Sequence, residues 1–266
     1  MKKNFLAISE SILAFLVYSN LLISFAAVVL FELCMQVLAI KVFWINHICI
    51  FLSSFLTYNS SIFYLKNPCS PKFVFMWQHI FWFKIAFGIA LAALFCCFWF
   101  LKPQQLLFLG HLAAISVFYT IPFYKKKSLR NLPYLKVLLV GYVWAAMSVF
   151  LLADLNTKTM LLFLGQFCFI VGITLIFDIR DIQTDQKSQL KTFVQTFGIA
   201  QTKLLAYLFL FFSSVFFFKM GLYGLLINNL LALVLVFLAT PQRHELYFTG
   251  LVDSLIFGQY IFSLLW

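Results

Sequence analysis

Long apolar runs broken by short polar punctuation dominate the chain. Nine windows, at about 11–31, 43–65, 79–101, 105–123, 137–153, 159–177, 204–218, 220–240 and 247–265, are apolar enough to predict helices. A bilayer core roughly 30 Å thick takes about 20 such residues per span. Only Lys219 separates the seventh and eighth windows. As one helix they would reach about 55 Å, too long for one crossing. The pattern therefore predicts a hairpin at Lys219–Met220–Gly221, with the turn at Gly221.

Composition gives the same class. Of 266 residues, 64% are hydrophobic and 10% charged, against about 25% charged in a soluble domain. The expectation is one polytopic membrane domain over residues 1–266, all-α, of nine transmembrane helices. The first apolar window is too long for a signal-peptide core and reads as a retained helix. With the N-terminus in the cytoplasm, 14 Lys and Arg fall in inside loops and 4 in outside loops, with Lys84 in a span. This positive-inside split predicts a cytoplasmic N-terminus and Trp266 on the opposite side. It also accounts for the net charge of +11 without a nucleic-acid partner. The six cysteines have no metal spacing and the 36 phenylalanines read as packing and lipid-facing surface.

Candidate chemistry is concentrated after the sixth window. Three of the eight acidic residues, Asp178, Asp181 and Asp185, stand in F-D-I-R-D-I-Q-T-D-Q-K. A helix continuing through them would put all three carboxylates on one face. Their mutual repulsion calls for a cation: Arg180, Lys187 or a divalent metal, for which Mg²⁺ is the fitting hard ion. A plain solvated helix end is the competing reading. The loop after the fourth window, Y-T-I-P-F-Y-K-K-K-S-L-R-N-L-P-Y-L-K, brings Lys125–Lys127, Arg130 and Lys136 to the same predicted membrane face. Lysines there also serve plain orientation. Asn59 ends the second window, and Glu32, Lys84 and Asp253 interrupt apolar runs, where charge is costly. Lys84 is close enough to its helix start to snorkel; Asp253 is a candidate cavity residue.

At these residues the chain resembles the UbiA-type intramembrane prenyltransferases. Asp181 and Asp185 match the D-x-x-x-D of that family's second aspartate-rich motif, with Asp178 and Arg180 before it and Lys187, Thr192 and Gly198 after it. Pro122, Lys126, Pro133, Gly141 and Trp144 resemble the segment entering the fifth helix. The resemblance implies a nine-helix bundle with a central cavity open to the cytoplasm. It also implies Mg²⁺-assisted transfer of a polyprenyl group from a prenyl diphosphate to a membrane-accessible acceptor. Asp178, Asp181 and Asp185 would then be catalytic, with Asp181 and Asp185 holding the metal. Asn59, Lys126, Arg130, Arg180, Lys187 and Asp253 would bind substrate. The family's first motif, N-D-x-x-D-x-x-x-D, keeps only Asn59; Ser60, Phe63 and Asn67 replace its aspartates. Hence the alternative expectation: a related protein without the chemistry, binding an isoprenoid lipid or supporting a partner enzyme.

Overall fold

The computed structural model describes residues 15–63, 71–120, 128–187 and 190–265, except for the side chains of 61, 62, 71–73 and 120. Among these, every apolar window meets a helix. In chain order they are α1 (Leu21–Leu38), α2 (Trp44–Asn59), α3 (Pro71–Gln78), α4 (Ile80–Phe98), α5 (Pro103–Thr120), α6 (Leu135–Phe150), α7 (Thr157–Arg180), α8 (Ile182–Lys187), α9 (Phe193–Lys219), α10 (Tyr223–Leu238) and α11 (Asp253–Ser263). Of the described helices, α1, α4, α7 and α9 are long and apolar enough to cross a membrane by length and composition.

Several boundaries differ from the windows for local reasons. Asn20 takes a left-handed conformation (φ 61°), which breaks the first window: residues 15–18 are helical before it and α1 follows from Leu21. It continues past Glu32 because that charge is paired: Gln36 Nε2 donates to Glu32 Oε1 (2.9 Å) and to the Tyr260 hydroxyl (3.1 Å). The expected hairpin is present. Gly221 has φ 74°, its N–H donates to Phe218 O (3.0 Å), and Leu222 N–H donates to Phe217 O (2.9 Å). These are the two reverse bonds of a Schellman turn, which satisfies the last carbonyls of α9.

The contacts divide the chain into two units, residues 1–28 with 42–102, and 29–41 with 103–266. In the first, α2 packs on α4, and α3 on α4. Helix α4 buries only Phe83, Ala90 and Cys97. This narrow seven-residue repeat leaves Phe81, Trp82, Phe95 and Trp99 exposed, as suits a lipid-facing helix. In the second unit α7 is central, packed along α6 and α9, with α10 beside α9 and α11 beside α10. Small residues on α7 and α6 permit that closeness. A Cβ at Gly172 would lie 2.9 Å from Leu210 Cγ, and one at Gly141 would lie 2.5 Å from Val171 Cγ2. With α6 and α9 packed along α7, Asp178 and Ile179 of its last turn are buried in protein.

Candidate functional site

The aspartate run is not one continuous helix. α7 stops at Asp181 (φ −84°, ψ 5°) and the short α8 follows. The predicted single face is therefore broken, yet the three carboxylates still converge, because a cation from another element gathers them. That cation is Lys136, in the first turn of α6. Its Nζ lies 2.7 Å from Asp178 Oδ1, 2.9 Å from Asp185 Oδ2 and 3.8 Å from Asp181 Oδ2. Asp178 and Asp185 are each 1% exposed and Lys136 9%.

Two arginines complete the set. Arg180 Nε and one terminal nitrogen reach the two oxygens of Asp181 at 2.7 and 3.1 Å, a bidentate pair. Its guanidinium also lies over the rings of Phe177 and Phe248, 5.0 and 5.8 Å from their centroids. Phe248 is fully buried on the π-helical turn Tyr247–Val252 that leads into α11. Arg130 approaches Asp185 Oδ1 at 3.5 Å and keeps 44% of its side chain exposed. Among the described residues three carboxylates thus meet three cations. Burial alone would raise the Asp181 carboxyl, but hydrogen bonds and charge from Arg180, with Lys136 and Arg130, hold it below the ordinary aspartate value.

Local structure fixes these side chains. Ser128 and Asn131 cap each other, with Ser128 N–H and Oγ both bonded to Asn131 Oδ1 (2.9 and 2.8 Å). Tyr134 is left-handed (φ 61°). Its N–H donates to Lys191 O (3.0 Å), its hydroxyl meets Thr196 Oγ1 (3.2 Å), and its ring packs on Phe193 and Phe197. The strand of chain that delivers Lys136 is therefore tied to the start of α9. On the aspartate side, Gln195 Nε2 donates to Ile182 O, and Thr192 Oγ1 accepts from Gln195 N–H (3.4 Å). Gly198 then turns the chain at φ 82°, ψ 174°, a conformation open to glycine and strained for other residues.

The other expected residues fall out as follows. Lys187 is exposed at the end of α8. Asp253, at the start of α11, and Glu245 lie within electrostatic reach of Arg180. Lys126, with Lys125 and Lys127, and Asn67 lie outside the described residues. Asn59 is buried in the first unit, where its amide is engaged: Asn20 Nδ2 donates to its Oδ1 (3.0 Å), and its Nδ2 donates to Phe55 O (2.9 Å) and Ser19 O (3.2 Å). Beside it Ser60 Oγ donates to Thr57 O (2.7 Å), and Phe63 packs edge-on against Phe87. Sequence reasoning counted Lys136 as one of a basic group and gave it no role of its own. Its signal was its place, one residue into an apolar helix, where a charge must find a partner. Tyr119 on α5 was also passed over; it lies within electrostatic reach of Arg130, Lys136, Asp178 and Asp185.

As placed, the residues do not form the Mg²⁺ site the family implies. Each oxygen of Asp181 and Asp185 has a cationic nitrogen within 3.5 Å. The point shared by the three carboxylates is taken by the Lys136 ammonium. Among the described residues no group of three or more acidic, His or Cys side chains has a metal-holding arrangement.

The model of the UbiA prenyltransferase family matches residues 77–249, more than half of the chain. The chain belongs to that family. Its fold is similar to that of a solved digeranylgeranylglyceryl phosphate synthase in membranes, with a TM-score of 0.55, 13% identity, and coverage of 97% of this chain and 100% of that one. No curated protein matches the sequence. The family match begins after the positions of the first aspartate motif and includes all of the second.

Proposed function

We propose that this chain is an intramembrane prenyltransferase that takes a prenyl diphosphate at the Asp178–Asp181–Asp185 cluster and passes its prenyl group to a membrane-accessible acceptor. The observation that supports this best is the set of Lys136, Arg130 and Arg180 against three aspartates, its centre at Lys136, Asp178 and Asp185 buried, at the end of a span in a UbiA-family chain. By the positive-inside argument this end faces the cytoplasm.

Arg130 is the group best placed to meet the diphosphate. It is half exposed, and its 3.5 Å contact with Asp185 is the longest of the cluster's hydrogen bonds. Turning toward a phosphate would cost it little. When the allylic C–O bond breaks, its electron pair stays with the diphosphate, whose negative charge rises. Fixed N–H donors in a site poor in water favour that rise. The acceptor then bonds to the allylic carbon and gives up its proton to the released diphosphate. Asp178 and Asp185 hold the Lys136 ammonium in place, at 2.7 and 2.9 Å from its Nζ.

The test is transfer itself. Membranes containing the full chain are incubated with radiolabelled farnesyl or geranylgeranyl diphosphate and a lipid extract, and prenylated product and released diphosphate are counted. Arg130→Ala should cut the rate by roughly tenfold or more, as loss of a charge-assisted contact in a partly dry site implies. Absence of both product and ligand binding would end the reading. A second reading, an isoprenoid-binding relative without transfer, is favoured by one observation: the first-motif positions Asn59, Ser60 and Phe63 are absorbed in local packing. It predicts binding without release of diphosphate.

A further inference from the structure

We propose that the Lys136 ammonium is the built-in cation of this site, standing where the family's metal would stand, so that the chain binds a prenyl diphosphate headgroup without a divalent ion. The inference rests on the reading that the cluster takes such a headgroup.

Geometry carries it. Lys136 Nζ is within 4 Å of all three carboxylates, two of them at hydrogen-bonding distance. A divalent ion bridging Asp181 and Asp185 would have to displace Lys136 from Asp185 Oδ2 and break the bidentate Arg180–Asp181 pair. The displaced ammonium has no easy retreat. It is nine-tenths buried, it projects from the first turn of α6, and the chain before it is pinned through Tyr134 to Lys191 and Thr196. Like charges would then share a poorly hydrated space. Among the described residues the three carboxylates are matched in number by Lys136, Arg130 and Arg180, with Glu245 and Asp253 also within electrostatic reach of Arg180. The sequence removes the usual reason for a second ion as well, since Ser60 and Phe63 stand where the family has carboxylates.

A lysine differs from a metal in one useful respect. It gives three N–H donors and exchanges none of its ligands for water, so the site is assembled before the substrate arrives. Arg130, the exposed member, then supplies the contact that changes on binding.

The experiment uses the purified full chain in nanodiscs, with farnesyl diphosphate as ligand and with EDTA or Mg²⁺ present. Wild-type affinity should be equal in the two buffers within about twofold, and Mn²⁺ should show no tight binding by its electron paramagnetic resonance spectrum. Lys136→Met should bind the ligand roughly tenfold or more weakly in EDTA. It should also acquire a Mn²⁺ site, lost again in Lys136→Met with Asp181→Asn, because three carboxylates are then left without their shared cation. Lys136→Arg should stay metal-independent. Wild-type binding that vanishes in EDTA and returns with Mg²⁺ overturns the inference, as does a tight wild-type Mn²⁺ site that Asp185→Asn removes. If farnesyl diphosphate fails to bind in either buffer, the prenyl-diphosphate reading falls, and the Mn²⁺ arm still decides whether Lys136 holds the metal position. The wild-type arms do so even if Lys136→Met fails to fold.

Discussion

Two helix ends in this chain occupy positions that the family's two aspartate motifs would fill, and they have gone different ways. At the end of α2, Asn59, Ser60 and Phe63 bond or pack with near neighbours: an amide to Asn20 and two carbonyls, a hydroxyl to its own helix, a ring to Phe87. At the end of α7, three carboxylates and three cations are drawn from four stretches of chain, the longest link spanning 55 residues. Neutral polar groups that satisfy one another locally need no ligand. A buried ionic set is costly to keep, since desolvation consumes much of the Coulomb gain. That one end keeps such a set while the other has been neutralised points to use, and the difference between the two ends can be tested one side chain at a time.

The largest effect should come from Lys136→Met. Among the described residues it leaves Asp178 and Asp185, both almost wholly buried, with no cation in salt-bridge contact except Arg130 at 3.5 Å from Asp185. Breaking a buried ion pair from one side costs about 3–5 kcal/mol. Unfolding in lipid nanodiscs, followed by heat or denaturant, should show that loss. A wild-type melting curve for Lys136→Met would break the comparison, because the cluster would then be no more demanding than the α2 end.

Next comes Gly198→Ala, which tests how the cluster is framed rather than charged. The backbone there (φ 82°, ψ 174°) disfavours any Cβ, while no atom lies within 4 Å of where one would go. The cost is therefore conformational alone, about 1–3 kcal/mol. If the same unfolding assay shows no loss, the turn is not held by the fold. An Asn59→Ala change should cost somewhat less, about 0.5–1.5 kcal/mol, because Asn20 Nδ2 loses Asn59 Oδ1 while keeping Tyr58 O.

Asp181 supplies a smaller, pH-dependent effect. Its side chain is about a quarter exposed, which screens its pair with Arg180. Its carboxyl is held below the ordinary aspartate value, chiefly against burial, by Arg180 and then by Lys136 and Arg130. The folded state thus binds that proton less readily than the unfolded state. The stabilisation is present above the unfolded pKa, about 3.9. It is lost as pH falls below that and through the depressed folded value. Melting temperature should accordingly drop more steeply below about pH 4 for wild type than for Asp181→Asn. Parallel curves would mean that Arg180 and Asp181 do not hold one another in solution.

How much of this the sequence disclosed follows from range. Helices and their order are written in apolar runs of about 20 residues, so each window was legible as a helix, whereas the short α3 and α8 lie outside the windows. The hairpin was legible because Gly221 sits where two runs had to part. The aspartate triplet was legible as a short motif, and so was the poverty of the first motif. The hub was not. Lys136 meets its aspartates 42, 45 and 49 positions later, and nothing local separates it from the other basic residues of its loop. The break before α1 and the early start of α9 were missed for a related reason. A left-handed Asn20 and a kink at Gly198 are single-residue events that hydrophobic periodicity does not register.

The smallest effect is expected from Ser60→Ala, and it bears most directly on the difference between the two ends. Ser60 stands where the family's first motif has an aspartate. Its hydroxyl is spent on Thr57 O, three residues back in the same chain. Alanine loses that one bond and leaves the carbonyl with the helix-end options that other carbonyls have, so stability should change by less than about 0.5 kcal/mol. Farnesyl diphosphate affinity should stay within about twofold of wild type, whereas Asp185→Asn should weaken it by roughly tenfold, since Lys136 and Arg130 both lose a charged partner. If Ser60→Ala instead weakened binding as much as Asp185→Asn did, the α2 end would still be handling the headgroup. The first motif would then be working with hydroxyl and amide groups in place of carboxylates, and the division between a retired end and a working one would be wrong.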